Sequence, residues 1–261
     1  MIKFGLAQMD IAWEDPAANM KKCATYFTSA KAEGVGVLVF PETTCTGFTN
    51  NAGPAAAAFP YVLGEMQKMS AQHGIAAVFG AIALGQAKAQ NRCIALAPSG
   101  DVLWQYTKIH PFSYSGEDRY FEKGAEIAFG EIGGSTCSPF VCYDLRFPEI
   151  FQAASGRAEI LIVIANWPAA RIGHWDVLLK ARAIENQSFV VGVNRAGEGN
   201  GVAYCGHSAA IDPMGAAMHP VSEGAGLIAV EVDPEICHTY RQGFRVKQDR
   251  NPKLYAQFYA E

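Results

Sequence analysis

Apolar runs of two kinds alternate through the first two thirds of the chain, and their lengths and punctuation predict its elements. Ile2–Met9 is strand-like. Asp15–Pro16 supplies a helix N-cap followed by proline at the first helical position, and Gly34 is a stop, so a helix is expected between them. VGVLVF (35–40) is short and continuously apolar, as expected of a strand covered on both faces. A second helix is expected over about 57–73, ending at Gly74 and leading into IAAVFGAIAL. NRCIALAPSGDVLWQYTKI predicts a hairpin turning at Ser99–Gly100. The second half resembles this plan: a strand ending near Cys142, a helix after Pro148, a buried strand EILIVIAN (159–166), a helix at about 173–187 and the strand SFVVGVN (188–194). Shorter strands follow, with turns at Asp212–Pro213 and Gly215. Alternating strands and helices with hairpins added later predict one layered α/β domain over residues 1–261, not a barrel or a bundle.

Composition narrows the setting. Half of the 261 residues are hydrophobic, enough for one large core without a second domain. The net charge is −4 and basic runs are absent, which argues against nucleic acid or an anionic membrane surface as partner. No apolar stretch approaches the roughly 20 residues of a spanning helix, and the N-terminus opens directly into a strand with no export signal. Seven scattered cysteines, an odd number, suit free thiols in a reducing compartment, so a cytoplasmic location is expected.

Three places fit poorly with packing alone, and each directly follows an apolar strand, where open α/β sheets carry functional residues. Glu42 follows VGVLVFP; burial there should raise its pKa and make it a usable base, the plainer alternative being a surface glutamate. Lys108 ends VLWQYTK and could face a developing oxyanion, or simply guard an edge strand. Cys142 lies between CSPFV and a helix start; a thiol at such an elbow meets ligand, the helix N-terminus would favour its thiolate, and the Tyr143 N–H could serve as an oxyanion donor. The alternative for Cys142 is a buried small hydrophobe. Pro139, three residues upstream, removes a ladder donor from its strand.

Taken together, FPE at 40–42, TK at 107–108 and CYDLRFPE at 142–149 resemble the nitrilase-like carbon–nitrogen hydrolase family. The three candidate groups lie 66 and 34 positions apart, in the family's order. The resemblance runs from IKFGLAQMD to the strand at 224–232. It implies a four-layer α–β–β–α sandwich, a catalytic Glu42, Lys108 and Cys142, and a second active-site glutamate, for which Glu117 in SGEDRYF is the match; the alternative there is an exposed loop carboxylate. ANWPAARIGHW (165–175) and LLKARAIENQSFVVGVNRAG (178–197) look like the omega-amidase branch, which hydrolyses the side-chain amide of 2-oxo acids. That likeness implies a small carboxylate-bearing amide substrate whose carboxylate Arg146 would hold as a planar fork. A structural pair of Arg146 with Asp144 or Glu149 stays open at this point. Asn166 and Trp167 would wall the pocket, with a core tryptophan as the bland alternative. Phe48 stands where some relatives carry tyrosine, which leaves the exact substrate open. The mechanism implied is a cysteine thioester route with no cofactor and no metal, and relatives of this kind pair as homodimers. An N-carbamoyl-amine hydrolase or nitrilase would use the same trio, and a ligand-binding relative without activity is the alternative of another class. No local signature of a cysteine–histidine protease surrounds any of the six histidines. Cys205-x-His207 is the one tight metal-type pair, and GEGNG at 197–201 fits a turn better than a phosphate loop.

Overall fold

A computed structural model describes residues 1–258; residues 259–261, the end of the expected 1–261 unit, lie outside the described residues. Two β-sheets carry the architecture. The first has six strands in the order β13-β1-β2-β3-β4-β5, from β1 (Ile2–Gln8), β2 (Val37–Val39), β3 (Ala76–Leu84), β4 (Ala89–Leu96), β5 (Val102–Thr107) and β13 (Gly226–Val232). The second has five in the order β12-β9-β8-β7-β6, from β6 (Gly130–Ile132), β7 (Ser135–Val141), β8 (Ile160–Ala165), β9 (Phe189–Asn194) and β12 (Ala209–Ile211). Each has a parallel centre, β1-β2-β3 or β7-β8-β9, flanked by antiparallel strands. A separate hairpin joins β10 (Ala196–Gly199) to β11 (Val202–Cys205) through Asn200 and Gly201, both at positive φ as a tight two-residue turn requires.

The sheets stack face to face, and the period-2 alternation of strand side chains shows why their strands are apolar throughout. Ile160, Ile162 and Ile164 of β8 join Phe4, Leu6, Val39 and Val78 in the core between the sheets. The alternate residues Leu161, Val163 and Ala165 face outward, under Phe151 of α5 (Pro148–Ala154) and Trp175, Leu179 and Ala183 of α6 (Ile172–Asn186). On the other outer face, Leu38, Phe40 and Phe79 are covered by Met20, Cys23 and Phe27 of α1 (Pro16–Ala32) and Val62 and Met66 of α3 (Phe59–His73). The layers are therefore α–β–β–α, as expected.

Several boundaries depart from expectation for local reasons. The helix expected near 57–73 is α3, ending at Gly74 as expected, but a separate short helix not foreseen in the sequence, α2 (Ala52–Ala57), precedes it and meets it at Ala58. Pro60 lacks an N–H and its ring blocks the carbonyl four residues back, so one continuous helix is disfavoured there. Pro139 is tolerated because β6 pairs with β7 only over Ser135–Cys137, leaving Pro139 a strand partner on one side. Downstream of Cys142 the chain makes a 3-10 turn to Arg146, and α5 begins only at Pro148. The helix expected after Pro148 is thus in place, but what begins at the cysteine is a 3-10 turn and not an α-helix.

Candidate active site

The candidate residues are set at the carboxyl ends of strands from both sheets. Glu42 follows β2 across Phe40 and Pro41, and its backbone lies against Gly80 of β3, where any side chain would overlap Glu42 and Thr43. Thr43 next to it has φ 44°, a rare conformation for a β-branched residue. Lys108 follows β5 and is anchored by its N–H donating to Asn91 O at 2.9 Å. Gly116, with φ 77°, turns the chain so that Glu117 opens α4 (Glu117–Tyr120) pointing inward. Cys142 leaves β7 with φ 49°, a strained elbow for a non-glycine residue.

That elbow is held by Asp144, fully buried, whose carboxylate accepts from Val141 N–H (3.0 Å), Tyr106 Oη (2.8 Å) and His110 N–H (3.0 Å) and meets His110 Nδ1 at 2.8 Å. These bonds use the carboxylate that sequence reading offered to Arg146. No ion pair joins Arg146 to Asp144 or Glu149 among the described residues; Arg146 instead lies over the Trp167 ring at 4.8 Å and touches His174 Nδ1 at 3.3 Å.

Four groups converge. Lys108 Nζ donates to Glu42 Oε1 at 2.9 Å and to Glu117 Oε2 at 2.9 Å, and all three side chains are shut off from solvent. Asn91 Nδ2 bridges the same two carboxylates at 2.8 and 3.0 Å. From the second sheet, Asn166 donates its backbone N–H to Glu42 Oε2 at 2.9 Å and its side-chain amide to Glu42 O at 2.7 Å and Thr43 Oγ1 at 2.9 Å. The Cys142 thiol faces the Asn166 carbonyl at 3.9 Å. Glu117 is thus no exposed loop carboxylate, and Asn166 serves more as a clamp on Glu42 than as a bare pocket wall.

Electrostatics correct two expectations. Burial alone would push the Glu42 carboxyl up, but the Lys108 ammonium and the bonds from Lys108, Asn166 and Asn91 outweigh it and hold it below the usual glutamate value. The Cys142 thiol goes the other way: burial first, then the Glu42 charge, raise it well above an ordinary cysteine despite the pull of Lys108. Burial lowers Lys108, but Glu117 and Glu42 overcome this and leave it raised. The resting site therefore holds an ionised carboxylate, an ammonium and a neutral thiol. The thiolate expected from a helix N-terminus is not favoured: burial and the Glu42 charge hold the proton on sulfur, and a 3-10 turn, not an α-helix, follows the cysteine.

Above these groups opens a cavity of about 160 Å³ lined by Glu42, Lys108, Cys142, Tyr143, Arg146, Asn166, Trp167 and Phe48, so every residue expected there except the deeper Glu117 reaches it. That volume is below the roughly 300–1,000 Å³ of drug-sized sites, so its occupant is small. Phe48 lies 5.4 Å from Lys108 Nζ, its face toward the ammonium. Sequence reading missed Asn91, Phe112, Arg171, Val202 and Tyr204. An asparagine inside the otherwise apolar β4 was the available signal for Asn91; the last two arrive on the β10–β11 hairpin, read from sequence only as a turn. Cys205 stays partly exposed, and His207 is occupied with Asp176 at 3.1 Å. Among the described residues no group of three or more metal-type side chains gathers.

The model of the carbon-nitrogen hydrolase family matches residues 3–242. The chain belongs to the carbon–nitrogen hydrolase family. Over 256 residues it is 35% identical to omega-amidase YafV of Yersinia enterocolitica, covering 97% of this chain and 98% of that one. It is 31% identical over 258 residues to 2-oxoglutaramate amidase of Bacillus subtilis, covering 95% and 97%. Among solved structures, a family protein of Xanthomonas campestris bearing an arsenic adduct in its active site superposes with a TM-score of 0.86 at 28% identity, over 96% of this chain and 97% of that one. The amidase of Nesterenkonia sp. AN1 shares the fold at a TM-score of 0.88 and 23% identity, over 99% and 100% of the two chains.

Proposed function

We propose that this family member hydrolyses the terminal amide of a small carboxylate-bearing compound, in the manner of an omega-amidase, through a thioester on Cys142. The observation that carries this reading is the pocket-facing thiol beside a buried carboxylate that already shares an ammonium. The names of the omega-amidase and 2-oxoglutaramate amidase relatives described above support the substrate class.

The chemistry follows from the charges. Glu42 accepts the thiol proton as sulfur bonds to the amide carbon, a transfer that is uphill until that bond forms because the thiol is raised and the carboxyl lowered. Lys108 and the Tyr143 N–H stabilise the oxyanion. As the carbon–nitrogen bond breaks, the proton passes from Glu42 to nitrogen and ammonia leaves. Water then gives a proton to Glu42 and attacks the thioester, releasing the acid and restoring the thiol. Glu117 holds Lys108 in place, and Arg146 meets the substrate carboxylate.

Ammonia release from 2-oxoglutaramate, compared with a carbamoyl amine and a nitrile of matched length, tests this. Preferred turnover of the amide is expected. Preference for either other compound would move the reading within the family, and no turnover of any, with a reactive Cys142, would point to a binding role. A pH profile adds a second check. Because Glu42 is lowered, kcat/KM on the amide should stay flat on the acid side down toward about pH 4.3, the ordinary glutamate value. An acid limb between about pH 6 and 7, where a base raised by burial titrates, would contradict the assignment.

A further inference from the structure

Two guanidinium groups face the catalytic cavity, and neither has a carboxylate partner. Arg146 rests on Trp167 and His174. Arg171 lies over the Phe112 ring at 5.8 Å, and among the described residues no acid pairs with it. Elsewhere the buried arginines have acidic and carbonyl partners within the protein: Arg182 has Glu185 and the Leu145 carbonyl, and Arg195 has Asp10 and the carbonyls of Ile11 and Glu198. Two unpaired cations lining one small cavity repel each other, and an anion bound there relieves that cost. Away from Glu42, Lys108 and Cys142 the lining is mainly aromatic and apolar, so it offers that anion no competing negative charge.

Both arginines are positioned by one side chain. The Trp167 ring supports the Arg146 guanidinium, and its Nε1–H donates to Arg171 O at 2.8 Å. Arg171 N–H in turn donates to Pro168 O at 3.0 Å, closing the short turn that ends in α6. We propose that Arg171 is a specificity-determining residue that, with Arg146, grips a carboxylate at the end of the substrate away from the scissile amide. This rests on the amidase reading above and extends it. Arg146 alone supplies one fork; the second cation makes the distal anion a requirement and not merely a preference, since a neutral end would leave both guanidinium groups facing an apolar wall.

The test compares succinamate with butyramide, its neutral counterpart of equal chain length, and with β-alaninamide, its cationic one. Wild-type protein should prefer succinamate strongly. Arg171→Met should lower the succinamate-to-butyramide ratio of kcat/KM by about 10- to 100-fold, the scale of one charge-assisted hydrogen bond, mainly through KM. Arg171→Lys should restore part of it, and Arg171→Glu should turn the preference toward β-alaninamide. An unchanged ratio in Arg171→Met, or a wild type indifferent to the distal charge, overturns the proposal. A binding readout keeps this separate from the amidase reading: succinate should slow iodoacetamide alkylation of Cys142, followed by peptide mass spectrometry, in wild type but not in Arg171→Met. If no amide is turned over, the amidase reading falls, while protection or its absence still decides the role of Arg171.

Discussion

Replacing Cys142 with alanine should lower kcat for amide hydrolysis by roughly 10⁴–10⁶-fold, the scale seen when a catalytic nucleophile is removed. The fold should survive. Alanine keeps the Cβ and therefore the same strained φ of 49°, and the Asp144 bonds that hold the elbow do not involve the sulfur. A change within about 1 kcal/mol corresponds to a thermal midpoint shift of about 2–4 °C in a chain of this size. Circular dichroism melting, an ammonia assay and a search for the acyl adduct by intact mass together decide the matter. Ammonia release at more than a few per cent of the wild-type rate would remove Cys142 from its assigned place.

Lys108→Met should cost both activity and stability. Its ammonium lies 2.9 Å from each of two carboxylates that are sealed from water. Removing it leaves two like charges buried against each other, and breaking such a buried pair typically costs about 3–5 kcal/mol. The pH dependence carries a sign that distinguishes this from a simple cavity. In the wild type Glu42 is lowered relative to the unfolded chain, so its contribution is present above the unfolded carboxyl value and lost as pH falls through the lower folded one. Without the lysine the balance reverses, because burial and like charge then favour the protonated acid. The deficit of Lys108→Met, measured by urea unfolding, should therefore shrink as pH falls from neutral toward about 5, and Glu117→Gln added to it should recover part of the loss. A deficit independent of pH would assign the cost to packing alone.

The parts of this molecule that were legible in the sequence are those whose cause is local. Continuous apolar runs such as EILIVIAN become strands buried on both faces because alternate side chains enter two different cores. Glu42, Lys108 and Cys142 each follow a strand and each had a plainer structural alternative alone; they stood out together, because FPE, TK and CYDLRFPE occur in one family's order and spacing. What was hidden depends on partners far away along the chain. Glu42 was expected to be raised by burial, and only the folded arrangement shows that Lys108, Asn166 and Asn91 reverse the direction. Arg171 and Tyr204 reach the cavity through a short turn and a hairpin whose sequences signal bends without telling what they face. Asp144 sat inside the most distinctive motif, yet its partners Tyr106 and His110 come from a strand of the other sheet and the loop that leaves it, so its part in holding the cysteine elbow could not be read there.

The seam between the sheets has a consequence for how this protein fails. The base and its lysine hang from one sheet, the sulfur from the other, and the bonds from Asn166 to Glu42 and from Tyr106 to Asp144 act as rivets between the two halves. Chemistry and cohesion thus share the same few atoms. A chain in which both halves kept every strand but slid past each other by a few ångströms would retain its spectroscopic signature and be inert. Turnover is accordingly a finer gauge of correct assembly than secondary structure, and heat or denaturant should silence the site before it unravels the strands.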